Sequence, residues 1–343
     1  MTNRFFLIAA LAAAAALAAC GGGGSSSSDT GTGSGGSNSG NGGGSSSGGD
    51  VQTSVPASTY TAGSAEAAAF AALNTERDRC GFGLVAQSTK LDTAAGNHAA
   101  YLTTLMNANA APTDHTEDAA NAGFTGATPD VRITGTGYGF TSWGEDVTYY
   151  NLGTATVTTE AQYGQALLRN VMATVYHQAS LLSGFRDIGL GVSYASSSTS
   201  YAEAVLVADL GTTTTMQSPT GVLTYPCNGS TNVQPYMLGE SPNPFAGLGF
   251  DPDSSTGQPI YVRAATGSTI VLTSATITAA NGTSIPVTLY GASQDPNGKL
   301  GANESFVIPR AGLAQGTTYS VTVNGTVDGS AFTRSFSFST LTF

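Results

Sequence analysis

Charge is scarce in this chain. Only 10% of its 343 residues are charged, with 11 Lys and Arg together against 22 Asp and Glu, for a net charge of −11. About a quarter is usual for a soluble protein. So few cations exclude the clustered basic surface that displaces counterions from a nucleic acid, and they exclude adsorption to anionic lipid through a basic patch. Histidine and cysteine occur three times each and tryptophan once. The metalloprotease pattern His-Glu-x-x-His is absent, and Gly-x-Ser-x-Gly occurs only at residues 44–48, within a Gly/Ser-rich run that has no strand-to-helix pattern to form a nucleophile elbow. The apolar run at residues 5–17 is shorter than the roughly 20 residues a membrane span needs.

That run nevertheless has an address. Arg4 precedes it, and Leu17, Ala18 and Ala19 lead into Cys20, the three zones of an export signal. The Leu-Ala-Ala-Cys-Gly pattern resembles the lipobox of bacterial lipoproteins. The resemblance implies cleavage before Cys20, acylation of Cys20 and attachment to the membrane through the lipid. Gly21 is not the aspartate that retains such proteins at an inner membrane, so in a cell with two membranes the outer one is favoured. Residues 21–50 are almost entirely Gly, Ser, Asn and Thr, a composition that cannot bury enough apolar surface to offset its ordering entropy. They read as the core of a disordered linker over 21–60, with a reach of about 30 Å.

With Cys20 assigned to lipid, Cys80 and Cys227 remain. An even number in an oxidising compartment favours a Cys80–Cys227 disulfide over two buried thiols. Composition then divides the rest of the chain into residues 61–220 and 221–343. The first part carries helical periodicity at 65–79, 91–107 and 166–182 and strand patterns at 188–194 and 201–210. The second carries only strand patterns, at 260–264, 269–278, 285–290, 305–308, 319–327 and 331–340, punctuated by Asn281-Gly282, Pro296-Asn297-Gly298 and Asp328-Gly329. The expected fold class is α+β followed by an all-β sandwich. The run 313–338 resembles the closing strands of bacterial immunoglobulin-like domains.

Candidate chemistry is confined to a few side chains. His98 lies on the apolar face of the second helix and reads as a core histidine. His115 sits in a polar loop beside Glu117 and Asp118, which are either its orienting partners or plain solvated residues. His177 falls late in the third helical pattern, and Glu145 and Asp146 follow Trp143. Asp209 reads as a rim residue. Glu240-Ser241-Pro242-Asn243-Pro244 reads as a rigid linker, and Asp251 to Ser255 as a turn only loosely like a calcium loop.

One ordered set reaches further: Leu73-Asn74-x-x-Arg77, His98-Ala99-x-Tyr101-Leu102, His115, Gly123-Phe124-Thr125-Gly126, Gly144-Glu145-Asp146, Tyr176-His177 and Ile188-Gly189-Leu190-Gly191. Over residues 65–211 it resembles the CAP superfamily, also called SCP/PR-1-like. The resemblance implies an α-β-α sandwich with a central cleft and a zinc-capable group of two histidines and one or two glutamates. Carried over, His115 and His177 become the histidines and Glu145 the first glutamate, with Asp146 where the family has Asn. The second glutamate has no counterpart between 169 and 176, and Glu160 lies upstream. The cleft residues His115, Glu145 and His177 are thus expected to bind a lipid, glycan or protein ligand. The alternative is zinc-dependent hydrolysis with the same three residues as metal ligands or catalytic groups.

Overall fold

In the first part of the chain, the helix α1 (Ala65–Cys80) starts where Ser64 accepts a hydrogen bond from the Ala67 amide and stops at Gly81, whose φ of 80° no β-carbon obstructs. The helix α2 (Thr89–Asn107) buries Leu91, Ala94, Ala95, His98, Leu102 and Leu105 along one stripe. A short helix, α3 (Pro129–Gly135), follows. The chain is a computed structural model in which residues 50–150, 159–196, 202–247 and 256–342 are described. The export signal, Cys20, most of the Gly/Ser linker and residues 251–255 lie outside them. No described helix is long and apolar enough to cross a membrane.

The single helix expected over 166–182 is two. The helix α4 (Glu160–Val171) begins earlier, at a capping box between Thr159 and Gln162, and α5 (Tyr176–Leu181) is a separate short turn. Between them Thr174 bonds the Val171 carbonyl through its hydroxyl, and the amides of Val175 and Tyr176 donate to the Glu240 carboxylate. A side chain from far along the sequence thus supplies acceptors for the start of α5, so a new helix begins where the periodicity alone would continue the old one.

The first sheet has the order β1-β3-β4-β2, formed by β1 (Ala86–Gln87), β2 (Ser142–Tyr150), β3 (Asp187–Tyr194) and β4 (Ala204–Thr212). Only the β1–β3 pair is parallel. The strand β4 is buried along its whole length. Its Ala204, Leu206, Ala208 and Leu210 pack with α1 and α4 residues such as Phe70, Leu73, Leu167 and Leu168. Its Val205 and Val207 pack with Ala95, Ala99, Leu102 and Leu105 of α2. Period-2 alternation therefore places helices on both faces of the sheet. The helix α2 sits very close: a β-carbon on Gly189 or Gly191 would fall 2.1 Å from the Leu91 carbonyl carbon or 2.3 Å from the Gly96 amide.

The second part forms two four-stranded antiparallel sheets. One has the order β5-β6-β10-β9, from β5 (Leu223–Tyr225), β6 (Ile260–Arg263), β9 (Val287–Gly291) and β10 (Glu304–Pro309). The other has the order β12-β11-β7-β8, from β7 (Ile270–Ala279), β8 (Ser284–Ile285), β11 (Thr318–Val327) and β12 (Ser330–Ser339). Ile260, Val262 and Val307 of the first meet Ile277, Val321, Val323, Phe336 and Phe338 of the second in one apolar filling. Pro286 divides the run expected at 285–290 into β8 and β9, because it has no amide to give a ladder. Asp328 and Gly329, with φ of 49° and 81°, turn β11 into β12 as the Asp-Gly pair leads one to expect.

The two parts share a core. Tyr261 and Phe306 of the β part pack with Phe82, ring centroids of Phe82 and Tyr261 lying 6.0 Å apart, in the same cluster as Leu73 and Leu182. Cys80 and Cys227 form the expected disulfide, joining the end of α1 to the segment after β5. The buried Arg77 donates to the carbonyls of Gly83, Leu181 and Ser183, so α1 also pins the end of α5. The described residues all belong to one compact unit.

Candidate functional site

The loop between α2 and α3 carries His115, and buried polar contacts shape it. His98 of α2 is fully buried, with Nδ1 2.9 Å from Glu117 Oε1 and Nε2 2.6 Å from the Asp114 carbonyl. Glu117 in turn accepts from the amides of Thr125 and Gly126. The Tyr101 hydroxyl accepts from the Asp118 amide and the Asn121 side chain. His98 is the core histidine its helical phase suggests. Glu117 is neither a partner of His115 nor a solvated loop residue: it is buried and serves His98, while Asp118 is exposed.

His115 stands over β2. Its Nδ1 lies 3.0 Å from Glu145 Oε1, and the other oxygen of Glu145 takes Arg132 Nη2 at 2.5 Å. Arg132, buried on α3, also donates to the carbonyls of His115 and Gly126. Burial opposes charge on Glu145, but the His115 hydrogen bond and the charges of His98 and Arg132 outweigh it and hold the carboxyl below its usual range.

His177 is the second residue of α5, not a late position in a long helix. Its Nδ1 lies 3.2 Å from Glu240 Oε2 and 3.1 Å from the Thr174 hydroxyl. Burial disfavours the imidazolium, yet the hydrogen bond to Glu240 and the nearby Asp146 raise the His177 pKa. Glu240, expected to be part of a linker, is a member of the site, with its side chain fully buried. One acidic residue between two apparent domains gives no periodicity or motif that could have revealed this. Glu160, by contrast, is an exposed residue in the first turn of α4.

His115 and His177 line two adjoining cavities. One, of about 570 Å³, also touches Asp114, Val147, Tyr149, Thr174 and Glu240. The other, of about 510 Å³, touches Trp143, Glu145, Asp146, Phe185, Lys299 and Glu304. Residues of the second part, among them Glu240, Lys299 and Glu304, thus share the cleft with those of the helical part. Asp146 is buried, and its Oδ2 has no protein partner. Burial pushes its pKa up to about 7, against the opposing charge of His177 and a hydrogen bond from Ser180.

Asp209 is not on the rim. It is fully buried on β4, directly opposite Glu145 of β2, and neither of its oxygens has a hydrogen-bond partner. Burial, and then the negative charge of Glu145, raise its pKa well above the usual carboxylate value. The unfolded chain therefore releases this proton first as pH rises, and the folded protein loses stability from about pH 4 upward toward the raised folded pKa. Asp209→Asn removes that titration. The unfolding free energies of the variant and the native protein, followed by urea denaturation from pH 4 to pH 8, are expected to diverge in favour of the variant as pH rises. Parallel curves would sink the assignment.

Among the described residues no group of three or more His, Cys, Asp or Glu side chains is arranged to hold a metal ion. Glu145 divides its oxygens between His115 and Arg132. The arrangement is two imidazoles, each with Nδ1 held by a buried carboxylate.

No family model matches the chain, and no curated protein matches it. Among solved structures, a crystal structure of a DUF4426 family protein from Pseudomonas aeruginosa PAO1 is similar at 18% identity, with 35% of this chain and 84% of that one covered. Its TM-score is 0.22, too low to bear on fold or function.

Proposed function

We propose that this protein is a lipid-anchored CAP-type protein of the cell envelope that binds a lipid, glycan or protein ligand in the cleft between its two parts, the second an immunoglobulin-like sandwich. Attachment through Cys20, in the outer membrane of a cell that has two, is part of the same reading. The observation that carries it is the matched pair His115–Glu145 and His177–Glu240, met from four separate segments at the junction of two cavities. Both carboxylates are buried, a placement that costs desolvation, and perturbed titratable groups gathered in a cleft are characteristic of functional sites.

A second reading, a zinc-dependent hydrolase, draws on one feature. A metal-ligating histidine characteristically gives its other nitrogen to a carboxylate, and both Nδ1 atoms here face one. The donor set offers two imidazoles, below the three protein ligands of catalytic zinc centres, and among the described residues no group of three or more His, Cys, Asp or Glu joins them. A bound cation would polarise water or a carbonyl, with His115 and His177 holding it and Glu145 and Glu240 fixing the two rings.

Zinc retention and cleft occupancy separate the two readings. After zinc loading and dialysis, binding without metal predicts well under one zinc per chain. About one zinc, lost in His115→Ala/His177→Ala, would favour the hydrolase. Trp143, the single tryptophan, lines the cleft, so its emission reports occupancy. Saturable shifts with phospholipid micelles, glycan fragments or peptides support binding, and no shift with any of them argues against it.

A further inference from the structure

The strand β2 lies at the edge of its sheet, paired with β4 alone. Its residues line the cleft without a gap: Val147, Thr148 and Tyr149 face one cavity, and Trp143, Gly144, Glu145 and Asp146 the other. Side chains on a strand alternate between faces. Val147 packs on the α2 side, whereas Gly144 lies against Phe185 and Ser180 on the α5 side. A cleft that touches both sets follows the strand's free edge. Among the described residues, positions 143–149 make no backbone hydrogen bond outside the β4 ladder. The edge holds no proline and no lysine, and its only charged side chains are the carboxylates of Glu145 and Asp146.

The seven residues span roughly 23 Å. A row of unpaired amides and carbonyls of that length complements an extended polypeptide, which carries the same groups at the same repeat. An acyl chain carries neither group, and a saccharide does not present them at that repeat. The walls select the side chains: Asp114, Glu145, Asp146, Glu240 and Glu304 line the two cavities against Lys299 and the imidazoles of His115 and His177, with Arg132 behind Glu145, which leaves an acidic excess, and the whole chain has a net charge of −11. Phe185 and Trp143 add an apolar end.

We propose that the cleft takes an extended peptide bearing Lys or Arg, which adds as a strand to the free edge of β2. This rests on the binding reading above and names the ligand class.

The test pans phage-displayed random decapeptides on the full chain, then synthesises enriched sequences with single backbone N-methyl groups. Expected are peptides rich in Lys or Arg and slower hydrogen exchange at the β2 amides. N-methylation at every second position should weaken binding about fivefold or more, the effect of one lost hydrogen bond, with the intervening positions tolerant. Failure of any peptide to enrich, enrichment of peptides without Lys or Arg, or tolerance of N-methylation throughout would overturn the proposal. If a chito-oligosaccharide or a lysophospholipid then slows exchange at β2, the peptide is wrong and cleft binding stands. If no probe changes exchange in the cleft, both fail.

Discussion

Replacing Cys80 and Cys227 together by alanine is expected to lower the free energy of unfolding by about 2–5 kcal/mol. The bridge joins residues 147 apart in sequence, and the entropy removed from the unfolded chain grows with the logarithm of that loop, to about 5 kcal/mol at this length. Residual structure in the unfolded chain reduces the gain, which sets the lower end. The location adds to the effect. The bridge lies where the helical and β parts meet, and around it the Ser230 hydroxyl donates to Glu76 and Arg79 donates to the Gly229 carbonyl. Urea denaturation of the native protein and the double variant measures the difference. A change below about 0.5 kcal/mol would mean that the shared core holds the two parts together without the covalent tie.

Glu240→Ala is expected to be nearly as damaging and to act on the cleft itself. It removes the acceptor for the Val175 and Tyr176 amides and the partner of His177. Leaving buried groups without partners costs about 1–3 kcal/mol each, so a loss of about 2–4 kcal/mol is expected. Glu240→Gln isolates the electrostatic part: an amide oxygen still accepts from the amides that start α5, but no carboxylate faces His177. The His177 pKa, followed by NMR, should then fall, because burial opposes the imidazolium and only the charges of Asp146 and Asp114 remain to support it. The sign of the stability effect follows. A histidine raised above its unfolded value contributes most below about pH 6.5, and that contribution fades as pH rises through the folded pKa. Native protein and Glu240→Gln should therefore differ most in stability at low pH and converge above the folded value. An unchanged His177 titration would remove Glu240 from the site.

What the sequence determined by itself was local or compositional. Helical periodicity placed α1 and α2, and alternation with Asn-Gly and Asp-Gly punctuation placed most strands of the β part, because side-chain direction follows backbone period, while β5 had no expected run and Pro286 split another. Cysteine parity led to the disulfide that is present. His115 and Glu145 were both singled out in the sequence, and the structure places them 3.0 Å apart. Tertiary structure alone decided the rest. The edge position of β2 depends on which strands pair, and the break before α5 depends on acceptors from Glu240. Asp209 sits beneath Glu145 through strand register, where a rim position had been expected. Glu240 shows the reason most plainly. Its partner His177 is 63 residues away in sequence, so no local period or motif connects them, and only the packing of the β part against the helices puts a carboxylate beside that imidazole.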